Sequence, residues 1–300
     1  MKKMISLLLV VALLSSLPFA LAEFDLSDLS FMEDATDQEL IDLRDLIDEE
    51  LKERKREAAG DEIEATRDNP ALIGETVFYK EDDYLGSSEY SMRVECAAAD
   101  SAASAILKSF NRYNSSRLNK GEKWVLVQLH IEALASDNDK VDLNEYNVAF
   151  VSQDGVEYER AYISDNPAEI KALYVGSEQV AWVAAVVKTD DTPMLTYKTS
   201  GGQDTVWFSL MERAPFTGDE ITAEVLDKNS EGEEVTFLQR LLVEMGYLTA
   251  APNGAYDKAT ISAVKSFQKT NSLKQSGTVD ADTKDCLLSG EALAKPVSKK

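Results

Sequence analysis

Hydrophobic and polar positions alternate most regularly over residues 122–133. Val125, Val127, Leu129 and Ile131 point one way, while Trp124, Leu126, Gln128, His130 and Glu132 point the other. A period of two predicts a strand buried on one face only. Similar runs predict strands over 75–80, 90–97, 146–151, 156–162, 179–187, 194–198 and 205–210, and Asp154-Gly155 supplies a hairpin turn between two of them. These short strands, separated by polar turns, predict an all-β sandwich over 71–213. One helix is inserted over 100–112, where Ala102, Ala105, Ile106, Ser109 and Phe110 share a face.

The period changes after residue 231. Val235, Leu238, Leu241 and Leu242 fall on one helical face, and Gly246 offers a left-handed C-cap. Asn253-Gly254 suits a turn, a second helix begins near Asp257 with Ile261, Val264 and Phe267 in its stripe, and a third opens at Asp280. The expectation is a small three-helix bundle over 232–290, followed by a tail, 291–300. Residues 214–231 mix Pro215, Gly218 and acids without a sustained period and read as a linker. Near the N-terminus, Thr36-Asp37-Gln38-Glu39 forms a capping box, and Leu40, Leu43, Ile47 and Leu51 follow at helical spacing. That predicts a helix over about 37–57 within an acidic helical spacer, 23–70.

Lys2 and Lys3, an apolar run and then Ala20-Leu21-Ala22 have the order of a secretory signal peptide, 1–22. The apolar run is too short to span a bilayer, and no later segment is long enough, so no membrane span is expected in the mature chain. The expected location is secreted, extracellular or cell-wall-associated, in a bacterium.

Charge separates the regions further. The chain carries 54 acidic and 31 basic residues, a formal net charge of −23. Such an excess of acid excludes nucleic-acid binding through the bulk surface. Residues 232–290 hold seven acidic and six basic residues, so the bundle is nearly neutral while the rest is strongly acidic. A neutral bundle on an acidic body predicts attachment to an anionic wall that strengthens modestly with salt.

Candidate chemistry is sparse. One histidine, His130, on the more polar face of its strand, argues against His-ligated zinc and His-based triads. Cys96 and Cys286 lie in different regions and are expected to be separate thiols. The acidic loop at Asp137-Asn138-Asp139 lacks the ligand ladder of a calcium loop. No catalytic residue, metal ligand or cofactor is expected, and the chain reads as a non-enzyme.

Two family resemblances rest on quoted residues. The C-terminal run Val235-Thr236-Phe237-Leu238-Gln239-Arg240-Leu241-Leu242, then Met245-Gly246-Tyr247, Asn253-Gly254-Ala255-Tyr256-Asp257-Lys258-Ala259-Thr260, Phe267-Gln268, Gly277 and Val279-Asp280 resembles the peptidoglycan-binding domain 1 family. It departs from the family at Asn253, Asp257 and Ser272, where Asp, Gly and Gly are usual. The resemblance implies peptidoglycan as partner, with Tyr247, Asn253, Tyr256, Thr260 and Gln268 as candidate contacts. The stretches Gly121–Val127, Ser152–Tyr158, Leu173–Val180 and Val206-Trp207-Phe208 resemble the secreted immunoglobulin-like domains of the DUF4352 type. That likeness implies fold and setting, not chemistry.

The expected architecture is therefore multidomain: an immunoglobulin-like β-sandwich with one inserted helix, plus a C-terminal three-helix bundle. The expected function is a non-catalytic, wall-associated protein that binds peptidoglycan and displays an acidic sandwich to another secreted or wall protein. The alternatives are a wall-targeted hydrolase with a cryptic site, or a secreted protein–protein interaction module.

Overall fold

The computed structural model describes residues 36, 38, 64–83, 86–114, 118–198 and 205–296. The chain divides into two compact units, Met1–Glu62 and Ile63–Lys300. The expected signal peptide, 1–22, and most of the helix expected over 37–57 lie outside the described residues; Gln38 is helical and exposed.

Within the second unit the elements run β1 (Ala71–Ile73), β2 (Thr76–Asp83), β3 (Gly86–Ala99), α1 (Asp100–Phe110), β4 (Glu122–Ser136) and β5 (Lys140–Val141). A short 3-10 turn (Glu145–Asn147) leads into β6 (Val148–Val151), β7 (Glu157–Tyr158), β8 (Arg160–Ala161), β9 (Leu173–Tyr174), β10 (Glu178–Lys188), β11 (Met194–Lys198) and β12 (Thr205–Arg213). Three helices close the chain: α2 (Glu233–Glu244), α3 (Lys258–Thr270) and α4 (Ala281–Leu288).

Two five-stranded sheets form a β-sandwich, in the orders β1-β12-β11-β6-β7 and β2-β3-β4-β10-β8, and β5 pairs with β9 beside them. Among the described residues only β1 with β12 is a parallel strand pair. The alternation in β4 decides how the sheets meet. Val125, Val127, Leu129 and Ile131 point between them, join Tyr90, Met92 and Val94 of β3, and pack on Phe150, Leu195, Tyr197 and Phe208 of the facing sheet. Burial of such side chains, at about 25 cal/mol per Å² of apolar surface, is the main force holding the sandwich.

The other face of β4 differs from expectation. Trp124, Leu126 and Gln128 are also buried, at 6%, 0% and 5% exposure. The strand is covered on both sides because α1 lays Ala102, Ala103, Ile106 and Leu107 on this outer face, and α2 adds Val235, Leu238 and Leu242. Sandwich and bundle thus share one continuous apolar core on that side.

Three local departures have physical causes. The strand expected over 146–151 begins as a 3-10 turn, because the Asn144 side chain accepts from the Tyr146 amide (2.9 Å) and caps it. The run over 156–162 splits into β7, which pairs with β6, and β8, which pairs with β10, so the chain changes sheets at Glu159. The segment read as a linker is bound to the bundle. Ile221 and Leu226 are buried, and Leu226 and Val279 exchange both backbone hydrogen bonds, 3.0 and 2.9 Å. Two isolated anchors carry no period, so the pattern does not show them. Cys96, buried under the bundle, and the half-buried Cys286 are both free thiols.

Candidate functional site

The C-terminal bundle is built on two equivalent clamps. In the first, Gln239 of α2 is 1% exposed and its Oε1 accepts from the amides of Asn253 (2.8 Å) and Gly254 (2.9 Å). Its Nε2 donates to Ala255 O and Thr260 Oγ1, both at 2.9 Å. In the second, Gln268 of α3 is fully buried, its Oε1 accepts from the Gly277 amide (2.9 Å), and its Nε2 donates to Thr278 O (2.8 Å) and Thr283 Oγ1 (3.1 Å). Each loop then enters a helix through an N-cap: Asp257 accepts from the Thr260 amide and Asp280 from the Thr283 amide. The sequence behind this is a short internal repeat, Asn253-Gly254-Ala255-Tyr256-Asp257-x-x-Thr260 against Ser276-Gly277-Thr278-Val279-Asp280-x-x-Thr283. Gly254 and Gly277 take positive φ, 71° and 79°. At Gly277 a Cβ would stand 2.7 Å from Lys265 Cε, which the flexible lysine can relieve by moving, so it is the positive φ that favours glycine there.

This geometry relocates most of the residues singled out as contacts. Gln268 and Thr260 are clamp members with no exposure. Tyr247 is buried, stacks edge-on against Phe267 and donates its hydroxyl to Leu293 O (2.6 Å). Tyr256 is buried and donates to Gly277 O (3.0 Å), tying one clamp loop to the other. Burial pushes its phenol well above the ordinary tyrosine value. These four side chains face inward, where their polar groups are already satisfied. Asn253 is exposed, but its Oδ1 accepts from Gln239 Nε2 (2.9 Å) and the Ala255 amide (3.0 Å).

A buried ion network joins bundle to sandwich. Arg240 of α2 reaches Glu95 of β3 (Nη1 to Oε2, 2.9 Å) and donates from Nε to Gln128 Oε1 (3.0 Å). Glu95 also receives Arg93 on its own strand, Nη2 to Oε1 at 2.6 Å. Burial raises the Glu95 carboxyl, but Arg93 and Arg240 outweigh it and leave the group below its ordinary value. Beside it, Arg213 of β12 grips Glu244 with Nε at 3.0 Å and Nη2 at 2.5 Å, and Nη2 also meets Glu95 O at 2.7 Å. Burial of Glu244 exceeds what Arg213 returns, so that carboxyl stays above its ordinary value. Arg–carboxylate pairs of this kind fix orientation more surely than they add stability.

Residues 231–287 match the family model described as a putative peptidoglycan binding domain. The match takes in the three C-terminal helices and the end of the bound segment 214–231, which runs along them as a strap. No curated protein matches the chain. Among solved structures, the chain is similar to MPT63, a secreted protein from Mycobacterium tuberculosis, at 10% identity and a TM-score of 0.33, covering 44% of this chain and 92% of that one. It is also similar to a putative lipoprotein, YcdA, from Bacillus subtilis, at 12% identity and a TM-score of 0.31, covering 71% of this chain and 63% of that one.

With α2 turned to the sandwich, α3 keeps one face of the bundle open to solvent. Lys258, Ser262, Lys265 and Lys269 recur on one exposed face, without an acidic residue in the helix. None of the three lysines forms an ion pair among the described residues, although the chain as a whole is strongly acidic. Sequence reading passed over this row because the domain's charges nearly cancel; helical spacing within 258–269 was the available signal. Outside this domain, His130 Nε2 lies 3.1 Å from Glu178 Oε2 on the sandwich surface, consistent with a hydrogen-bonded surface histidine. Among the described residues no three His, Cys, Asp or Glu side chains converge as a metal site, and no helix is long and apolar enough to cross a membrane.

Proposed function

We propose that this is an exported, wall-associated protein that holds peptidoglycan through its C-terminal domain and has no catalytic activity of its own. The observation that carries the reading is the family match over 231–287, on a domain whose three helices and both glutamine clamps are complete. The contact surface is the exposed face of α3, where Lys258, Lys265 and Lys269 meet peptide carboxylates of the wall polymer. Such attraction is screened by salt, so binding weakens as ionic strength rises. That replaces the rise with salt expected from repulsion between the acidic body and an anionic wall, because the lysines placed at the contact outweigh the distant acid. The sandwich belongs, in this reading, with the immunoglobulin-like secreted domains of the DUF4352 type. It presents its acidic surface to another secreted or wall protein.

The test is co-sedimentation of the full chain with purified, protein-free peptidoglycan. Saturable pelleting that falls as salt is raised supports the reading. Absence of pelleting at every salt concentration overturns it, and release of soluble fragments from the polymer would show an enzyme instead.

A further inference from the structure

After α4 the backbone turns at Gly290, which takes a φ of 71°, and residues 291–296 come back over the C-terminal ends of α2 and α3. Three hydrogen bonds tie this tail to the helices, and in each the tail offers a main-chain group. The Leu293 amide donates to Asn271 Oδ1 (2.9 Å), the Leu293 carbonyl accepts from the Tyr247 hydroxyl (2.6 Å), and the Lys295 amide donates to Met245 O (2.9 Å). Bonds at every second residue are the spacing of an extended peptide laid along a receiving edge.

The receiving groups are fixed by the bundle itself. Met245 is the C-cap of α2 and Asn271 the C-cap of α3, so the tail reaches a carbonyl that α2 leaves without an intrahelical donor. Asn271 Nδ2 donates to Phe267 O (3.0 Å), and the Tyr247 ring stands edge-on to Phe267. A Cβ at Gly246 would lie 3.8 Å from Lys295 Cβ, which puts the base of the lysine side chain beside the end of α2. That end is the negative pole of the helix, where a cation is favoured.

The tail contributes little packing in return. Leu293, its largest apolar side chain, is 58% exposed, and Ala292 is only half-buried against the apolar core. A segment kept for packing would turn its leucine inward. Of the four inward-facing residues that the family resemblance singled out, Tyr247 alone owes its hydrogen bond to the tail; Tyr256, Thr260 and Gln268 find theirs within the clamps.

We propose that the crevice between the C-terminal ends of α2 and α3 is a peptide groove, that its ligand is the peptide branch of the wall polymer, and that the tail fills it as a competitor in cis. The occupant on view is Ala292-Leu293-Ala294-Lys295: small residues, one side chain turned out, then an amino group. Wall peptides, which set alanine near a diamino acid, share that make-up. Lys269 stands two residues before Asn271, so the groove continues the α3 lysine row. The inference takes its ligand from the wall-binding reading and adds to it a second contact and a control. A tail joined through a short turn competes at a local concentration on the order of millimolar. Wall affinity is then reduced to the fraction of molecules whose groove is open.

The test is co-sedimentation with purified, protein-free peptidoglycan, comparing wild type with the full chain carrying Leu293→Pro and Lys295→Pro. The two prolines remove both tail donors without shortening the chain, and both positions are exposed. Hydrogen exchange should show 291–296 losing protection while α2, α3 and α4 keep theirs. Affinity should rise about tenfold, the gain expected of a groove that the tail fills about nine-tenths of the time, and a synthetic peptide of residues 290–300 should reverse it. Tyr247→Phe, which keeps the ring, should remove most of that gain in the undocked chain. A released tail with no gain in affinity overturns the proposal, as does a gain that Tyr247→Phe leaves whole. So does a tail that stays protected without its two donors. Pelleting of the undocked chain but not of wild type would leave the groove standing without the α3 contact, so the two readings fail separately.

Discussion

The C-terminal helices and the sandwich place their conspicuous residues in opposite ways. In the bundle, the residues that stand out in the sequence, Gln239, Tyr256, Thr260 and Gln268, all turn inward and hold loops. In the sandwich, Tyr162 stands out only in the structure, 81% exposed at a cleft whose lining includes the buried Trp124. A motif made of polar and aromatic residues therefore need not be a binding surface. Where such residues satisfy one another they make a frame, and the recognition proposed above falls to plainer neighbours, the α3 lysines.

That contrast can be broken by substitution. The largest effect is expected at the clamps. Gln268→Leu keeps the volume but strips partners from the Gly277 amide, Thr278 carbonyl and Thr283 hydroxyl, and should destabilise the bundle by about 4 kcal/mol. Gln239→Leu should act alike, and chemical denaturation reads both. Stability near wild type in either variant would show that the clamps do not hold the loops, and in Gln268→Leu it would restore Gln268 as a candidate contact.

Next comes the joint between the two regions. Glu95→Gln leaves Arg93 and Arg240 facing a neutral partner and should cost about 3 kcal/mol at pH 7. Because the Glu95 carboxyl is held below its ordinary value, its ionised form stabilises the fold above the unfolded-state pKa. That contribution is lost as pH falls through the folded value. Wild type and E95Q should therefore converge in acid, below the ordinary carboxylate range, and a gap that stays constant with pH would show that the pair is not what holds the joint.

Gly277→Ala follows, at about 2 kcal/mol, from positive φ. Asp280→Ala removes an N-cap and should cost about 1 kcal/mol. Thermal unfolding measures both, and the reverse order of effects would mean that the loop adapts more readily than its backbone conformation implies.

Much of this was legible in the sequence, for reasons that differ by region. The alternation in 122–133 located the inter-sheet core because Val125, Val127, Leu129 and Ile131 all meet the same facing sheet. Periodicity also located the three C-terminal helices, since each keeps its stripe within one short segment. The second burial of β4 was not legible. Trp124 owes it to α1, a nearby helix whose docking face the period of β4 does not reveal, and Gln128 to Arg240, 112 residues along the chain. Nor was the strap, whose Ile221 and Leu226 act singly. The clamps were present as a repeat of Gly, Asp and Thr, but the two copies follow their glutamines at unequal spacing, 15 residues to Gly254 and 9 to Gly277, which hides the correspondence. The cleft had no signal, because Tyr113, Trp124 and Tyr162 come together through sheet register and a turn rather than through spacing.

The central claim is that the wall is held by plain lysines on α3 while the motif residues hold the fold. Co-sedimentation of the full chain with purified peptidoglycan tests it directly, comparing wild type with the triple variant Lys258→Glu, Lys265→Glu, Lys269→Glu. These side chains are exposed and unpaired, so unfolding should not change. At about 0.5 kcal/mol or more for each reversed charge, affinity should fall about tenfold or further. A folded variant that pellets as wild type does would contradict the account.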